Sequence, residues 1–114
     1  MAKSGIPYYI RETNRYDDSR ISKLIARLNA SAVTVYDYLL EKAFKEEGSY
    51  LLINSDVVFV VAQALRLRES FVEEVISQCC NVGLFDKDVH ANGGMLSGTM
   101  MVEKYLTTCK MMKR

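Results

Sequence analysis

Residues 81–98, NVGLFDKDVHANGGMLSG, place the strongest constraint on how this chain can fold. Two short apolar pieces, Leu84-Phe85 and Met95-Leu96, flank a polar stretch that ends in two glycines. Because glycine adopts the positive φ that tight turns need, the segment predicts a β-hairpin with these pieces as its strands. A two-stranded hairpin is marginally stable alone, so we expect the β-prone residues 49–53 to add a third strand.

Most other apolar residues recur at the spacing of amphipathic helices. One stripe follows Asp17 and Asp18, either of which can cap a helix, and consists of Ile21, Leu24, Ile25 and Leu28. A second helix is predicted from about Ser31 to a stop at Gly48, and another within residues 68–83 with its stop at Gly83. A last helix is predicted from Thr99 to about Met111.

The run VVFVV at residues 57–61 has two interpretations. Its composition is typical of a buried strand, whereas the spacing of Val58, Phe59 and Ala62 is helical, and we predict a helix. The resulting order is helix, strand, helix, helix, hairpin, which is the order of a winged helix. The predicted fold class is therefore mainly α: a helix-turn-helix core with a small three-stranded sheet, plus an N-terminal and a C-terminal helix.

Length and composition limit the chain to one core. At 114 residues and 49% hydrophobic, residues 1–114 are expected to form a single winged-helix domain, either complete or the N-terminal part of a longer protein. We recognise neither a signal peptide nor a membrane-spanning run, so a soluble, cytoplasmic protein is expected. Cys79, Cys80 and Cys109 lack metal-ligand spacing and are interpreted as buried, reduced thiols.

Catalytic patterns are not recognisable in the sequence. It contains no Gly-rich phosphate loop, nucleophile elbow or metal-ligand pair, and its single histidine has no carboxylate at a suitable spacing. We therefore expect a protein that is not an enzyme and that needs no cofactor, metal or small-molecule substrate. The expected partners are DNA, or else a second copy of this chain or replication proteins.

Several of these residues resemble a known family. VGLFD at residues 82–86, a glycine-containing turn and MLSGTMMVEKY at residues 95–105 are similar to the pattern Val-Gly-Leu-Phe-Asp, loop, Leu-Thr-Ser, Ile-Gln-x-Arg-Tyr. That pattern belongs to a phage and prophage domain family of unknown function, related to phage replisome organisers and DnaD-type N-terminal domains. Gly98 and Val102 depart from it, where the family has Ser and Gln. The resemblance implies a winged-helix module of a phage-type DNA replication protein.

Basic residues cluster in the first 27 positions. Six cations (Lys3, Arg11, Arg15, Arg20, Lys23, Arg27) and three anions (Glu12, Asp17, Asp18) give this part a charge of +3, against +1 for the whole chain. Arg20, Lys23 and Arg27 fall on one side of the first helix. The C-terminal tail and the turn add further cations, although Asp86 and Asp88 flank Lys87. The nucleic-acid-binding candidates are Arg11, Arg15, Arg20, Lys23, Arg27, Lys87, His90, Lys104 and Lys110.

The helix predicted within residues 68–83 occupies the position of a recognition helix, but its predicted solvent face is acidic. Carboxylates repel a phosphate backbone, so only its Ser, Gln and Asn side chains are expected to contact bases. The alternative function is a protein-interaction or self-association module of a replication complex. Its contact surface would be Glu69, Glu73, Glu74 and Gln78.

Overall fold

The computed structural model of the chain describes residues 5–46 and 48–113. The fold is mainly helical with a small antiparallel sheet. A 3-10 turn at Arg15–Asp17 precedes the regular elements, which are α1 (Ser19–Leu28), α2 (Ala30–Glu46), β1 (Leu51–Leu52), α3 (Ser55–Leu65), α4 (Glu69–Val82), α5 (Lys87–Gly93), β2 (Met95–Leu96) and α6 (Thr99–Met111).

The predicted helices α1, α2, α4 and α6 are confirmed. Asp18 caps α1, because its side chain accepts a hydrogen bond from the Arg20 backbone N–H at 2.8 Å. Ile21 and Leu24 of the α1 stripe are buried. α4 ends at Gly83, whose φ of 93° is the left-handed conformation of a helix stop.

The core is centred on α2, which packs against α1, α3 and α4. Tyr36, Leu39, Leu40 and Phe44 of α2 are each at most 1% exposed. α4 contributes a stripe on its inner side, formed by Val72, Val75, Ile76 and Cys79. α4 therefore has one face in the core and the opposite face available to a partner.

The valine-rich run forms α3, so its prediction as a helix is confirmed. Asn54 caps the helix by accepting a hydrogen bond from the Val57 N–H at 2.9 Å. Val58 and Val61 are buried, whereas Phe59 and Val60 remain exposed. The run has apolar residues on all sides of the helix, and the core covers only one side. Some apolar side chains of α3 therefore remain exposed.

The predicted hairpin is wrong. Leu84 and Phe85 are buried but form no strand. The residues expected to form the hairpin turn instead form the helix α5. Asp86 caps α5 by accepting from the N–H groups of Asp88 and Val89 at 2.9 and 3.0 Å. Gly94, at φ 61°, ends the helix instead of closing a hairpin. The described residues therefore contain two strands, not three.

The small sheet pairs the predicted strand at residues 49–53 directly with β2. Its antiparallel register places Leu51 opposite Leu96 and Leu52 opposite Met95. The Ile53 N–H extends the pairing by donating to the Gly94 carbonyl at 2.7 Å. On the other side, the Asp86 N–H donates to the Ser97 carbonyl, also at 2.7 Å. None of the helices in the described ranges is long and apolar enough to cross a membrane.

Candidate nucleic-acid interface

The basic side of α1 runs along the C-terminal half of α4. Arg27 Nη1 donates a hydrogen bond to Gln78 Oε1 at 3.0 Å. Arg20 lies at the end of α4, where a Cβ added to Gly83 would be 3.7 Å from Arg20 Cδ. Lys23 is exposed between these two contacts, and Asn81 is exposed one turn after Gln78. We call this surface the α1–α4 ridge; it consists of Arg20, Lys23, Arg27, Gln78 and Asn81.

The cations of the ridge differ in whether a carboxylate of the protein already neutralises their charge. Arg20 donates from Nε and Nη2 to the two carboxylate oxygens of Asp18 at 3.0 and 2.7 Å. These bonds hold the pKa of Asp18 below its usual value. Within the described ranges, Lys23 has neither an ion pair nor a side-chain hydrogen bond. Lys23 is therefore the ridge cation that can approach a phosphate without breaking an existing contact.

Arg15 lies inside the protein, which corrects the expectation that it belongs to an exposed basic surface. Its side chain is 8% exposed, and its Nη2 lies 2.5 Å from Asp37 Oδ1 on α2. The guanidinium also stacks over the Tyr36 ring, 5.6 Å from the centroid. Arg11 remains about half exposed, 3.7 Å from the other Asp37 oxygen. Asp37 therefore holds the N-terminal segment against α2.

Lys104 was predicted as a nucleic-acid-binding candidate and was therefore expected to be exposed; this expectation is wrong. The residue is 9% exposed, and its Nζ donates to the Ile10 carbonyl at 2.9 Å and to the Glu12 carboxylate. The bond from Lys104 keeps the pKa of Glu12 below its usual value. Because residues 10–12 pass over α6, this lysine fastens the N-terminal segment to the last helix. Lys104 and Arg15 thus serve structure rather than a basic surface.

Lys87, His90 and Lys110 lie on α5 and α6, not on the two helices of the ridge. Lys87 is exposed at the first position of α5, and Lys110 is exposed near the end of α6. His90 is half-buried and lines a cleft of about 390 Å³ together with Asn54, Ser55 and Glu73. His90 therefore lies on a helix beside a cleft, instead of in the turn of a hairpin.

The predicted outer face of α4 is confirmed as exposed. Glu69, Glu73 and Glu74 are exposed, while Gln78 is half-buried under Arg27. Gln78 was assigned to the alternative protein-interaction surface, and the structure joins it to the basic ridge. The acidic part of α4 thus occupies its N-terminal half, and the ridge its C-terminal half.

Two exposed arginines, Arg66 and Arg68, were not among the residues predicted from the sequence. Arg66 ends α3 in a left-handed conformation with φ 59°, and Arg68 immediately precedes α4. They occupy the turn between α3 and α4. The motif Arg-Leu-Arg between two predicted helices was the signal that could have identified them.

The tyrosines of the N-terminal segment and the cysteines of α4 divide between exposed and packed groups. Tyr8 and Tyr16 are 61% and 57% exposed, whereas Tyr9 packs on Phe44 with ring centroids 5.0 Å apart. Burial raises the pKa values of the Cys79 and Cys80 thiols, so both stay protonated at neutral pH. A search of the described part of the chain finds no group of His, Cys, Asp and Glu that could hold a metal ion.

Comparison with known proteins places the chain in a family. No curated protein and no solved structure matches it significantly. The sequence profile of the Lin1244/Lin1753-like N-terminal domain matches residues 8–100, which include α1 to α5 and β2. The profile describes uncharacterised phage and bacterial proteins. Because this match covers most of the sequence, the chain belongs to the Lin1244/Lin1753-like N-terminal domain family.

Proposed function

We propose that the chain is a non-catalytic, winged-helix-type DNA-binding module of a phage-type replication initiation or replisome organiser protein, acting in the cytoplasm. The observation that carries the proposal is the α1–α4 ridge, because it joins the exposed cations Lys23 and Arg27 to hydrogen-bonding side chains of α4. In the winged-helix interpretation α4 is the recognition helix. The relation to replisome organisers rests on the resemblance of VGLFD and MLSGTMMVEKY alone.

Backbone hydrogen bonds support the winged-helix interpretation. Residues Leu51 and Ile53 pair with Leu96 and Gly94 at one edge of β2. Alternate residues of a strand direct their backbone groups to opposite edges, so the Ser97 carbonyl bonded by Asp86 lies at the other edge. β2 therefore lies between β1 on one side and Asp86 on the other. The strand that would form the wing is represented only by the hydrogen bond between Asp86 and Ser97. α5 replaces the rest of that strand.

Charge decides which part of α4 meets DNA in this proposal. Glu69, Glu73 and Glu74 would repel the phosphates if the N-terminal half of α4 entered the major groove. The C-terminal half offers Gln78 and Asn81 for base edges, with Lys23 and Arg27 beside them for the backbone. We therefore place DNA against the ridge rather than against the start of α4.

The test is a titration of a fluorescently labelled duplex, and of the corresponding single strand, with the full chain at low salt. Lys23→Ala should weaken duplex binding and reduce the slope of log K against log salt by about 0.9, the value for one lost phosphate contact. Lys45→Ala removes an exposed lysine of α2 outside the ridge and is the matched control. No association with either nucleic acid at low salt, or equal effects of the two substitutions, would refute the proposal.

A second candidate function is favoured by the three exposed carboxylates on the N-terminal half of α4. Such a face suits a basic surface of a replication protein. Replacing Glu73 and Glu74 together with Gln separates the candidates. DNA binding through the ridge predicts tighter duplex binding by this variant, because repulsion is removed. If neither duplex nor single-stranded DNA binds to the wild-type protein or to the variant, the protein-docking function is favoured.

A further inference from the structure

The outer face of α3 carries an apolar centre that the core leaves uncovered. Asp56, Phe59, Val60 and Gln63 follow one another at i, i+3, i+4 and i+7, and all are exposed. Phe59 is 50% and Val60 44% exposed, although they sit in the middle of the helix. Single exposed apolar residues are ordinary, but two neighbours on one helix face mark a surface suited to a partner.

Opposite charges stand at the two ends of α3. Asp56 occupies the first turn of α3, and Arg66 ends the helix; both are exposed. Ten residues separate them, which corresponds to about 15 Å along a helix. A helix with an acidic start, an apolar centre and a basic end is complementary to an identical helix that runs in the opposite direction.

We propose that two copies of this chain associate through α3, packed antiparallel about a two-fold axis beside residue 61. In this arrangement Asp56 of each copy meets Arg66 of the other, and Phe59 of each packs against Gln63. Val60 lies next to the axis in both copies. The two helix dipoles are also antiparallel, which favours the pairing. The pairing is isologous, so it closes at two copies.

The inference goes beyond the proposed DNA-binding function and uses none of the ridge residues. The apolar centre is small, so the dimer belongs to the weak, transient class of interfaces. In the dimer, the two ridges would lie at a fixed distance from each other. A duplex that binds both ridges would make twice as many contacts as a duplex bound to one copy. Self-association is measured without DNA, so failure of either proposal leaves the other intact.

Sedimentation equilibrium of the full chain over a range reaching about 1 mM tests the pairing, since weak dimers have constants between micromolar and millimolar. Phe59→Ser should abolish the dimer. Asp56→Arg and Arg66→Asp should each weaken it by about tenfold or more, because each makes both ion pairs of the dimer repulsive. The double variant Asp56→Arg/Arg66→Asp should recover to within about threefold of wild type, because each pair is re-formed with its charges exchanged.

Glu103→Arg changes an exposed acid on α6 and is the control expected to leave the dimer unchanged. Thermal melts of each variant verify that it is folded. A wild-type monomer at the highest concentration would overturn the inference. So would a dimer that survives Phe59→Ser, or a double variant that is no better than the single ones. Only pairing between two copies of α3 predicts the rescue.

Discussion

Removing the Asp37 carboxylate should destabilise the fold strongly, although Asp37 is not one of the ridge residues. Asp37→Ala leaves the Arg15 guanidinium, 8% exposed, without the carboxylate that lies 2.5 Å away. Loss of one partner of a buried ion pair costs about 3–5 kcal/mol, because the remaining charge is buried without compensation. The Asp37 side chain is itself 18% exposed. We therefore expect the low end of the range, a loss of about 3 kcal/mol.

A double-mutant cycle separates the ion pair from packing. Arg15→Met keeps the apolar contact with Tyr36, and Arg15→Met/Asp37→Ala removes both charges and closes the cycle. The double variant should lose less than about 1.5 kcal/mol, because no unpaired charge remains. Arg11→Ala is the control: this residue approaches the same carboxylate at 3.7 Å but its side chain is 47% exposed. Its loss should stay below about 1 kcal/mol.

Urea unfolding followed by circular dichroism measures all four variants under the same conditions. The reasoning would be refuted if Asp37→Ala lost no more stability than Arg11→Ala. It would also be refuted if the double variant were as unstable as Asp37→Ala, because the cost would then come from packing rather than from the unpaired guanidinium.

Three further outcomes follow from the caps, the thiols and the carboxylates. Asp86→Ala removes the cap of α5 and should cost about 1 kcal/mol in urea unfolding, and an unchanged midpoint would contradict the capping role. Cys79 and Cys80 should react with an aromatic disulfide reagent only on unfolding, because burial raises both pKa values, whereas half-buried Cys109 should react first. The pKa of Asp18 is lowered by Arg20, so its stabilisation is complete above the ordinary carboxyl pKa of about 4 and is lost as pH falls below that value. Asp18→Asn should therefore make stability less dependent on pH in the acid range, and an unchanged acid dependence would count against the pair.

Helices were predictable where a local pattern decides the structure. The stripe containing Ile21 and Leu24 specifies both the helix and its buried side, and Asp18 and Gly83 mark a start and a stop. The valine-rich α3 was correctly assigned because its spacing outweighed its composition. Its half-exposed Phe59 was not predictable, because spacing does not show how many neighbours cover a helix.

The hairpin prediction failed because the same residues support two structures. A glycine pair following Asn92 is typical of a hairpin turn and equally of a helix stop. The decisive signal was Asp86, followed by Lys87-Asp88-Val89, which is a cap followed by residues that tolerate a helix. The short strand pieces on either side contained too few residues to outweigh that cap.

The candidate site was predictable only in part, because burial of a charged residue depends on distant contacts. Helical spacing correctly grouped Arg20, Lys23 and Arg27 on one side of α1. It could not reveal that Arg15 meets Asp37 on α2, nor that residues 10–12 cover Lys104. The contact between Arg27 and Gln78 joins residues 51 positions apart. Such pairs have no local signature.

The most direct test of a DNA interface on the α1–α4 ridge is a nuclear magnetic resonance titration of the labelled chain with a short duplex at low salt. The account predicts that backbone amide signals of residues 19–28 and 77–82 shift most, and that raising the salt concentration reverses the shifts. Spectra that do not change with excess duplex, or shifts confined to α5 and β2, would contradict it.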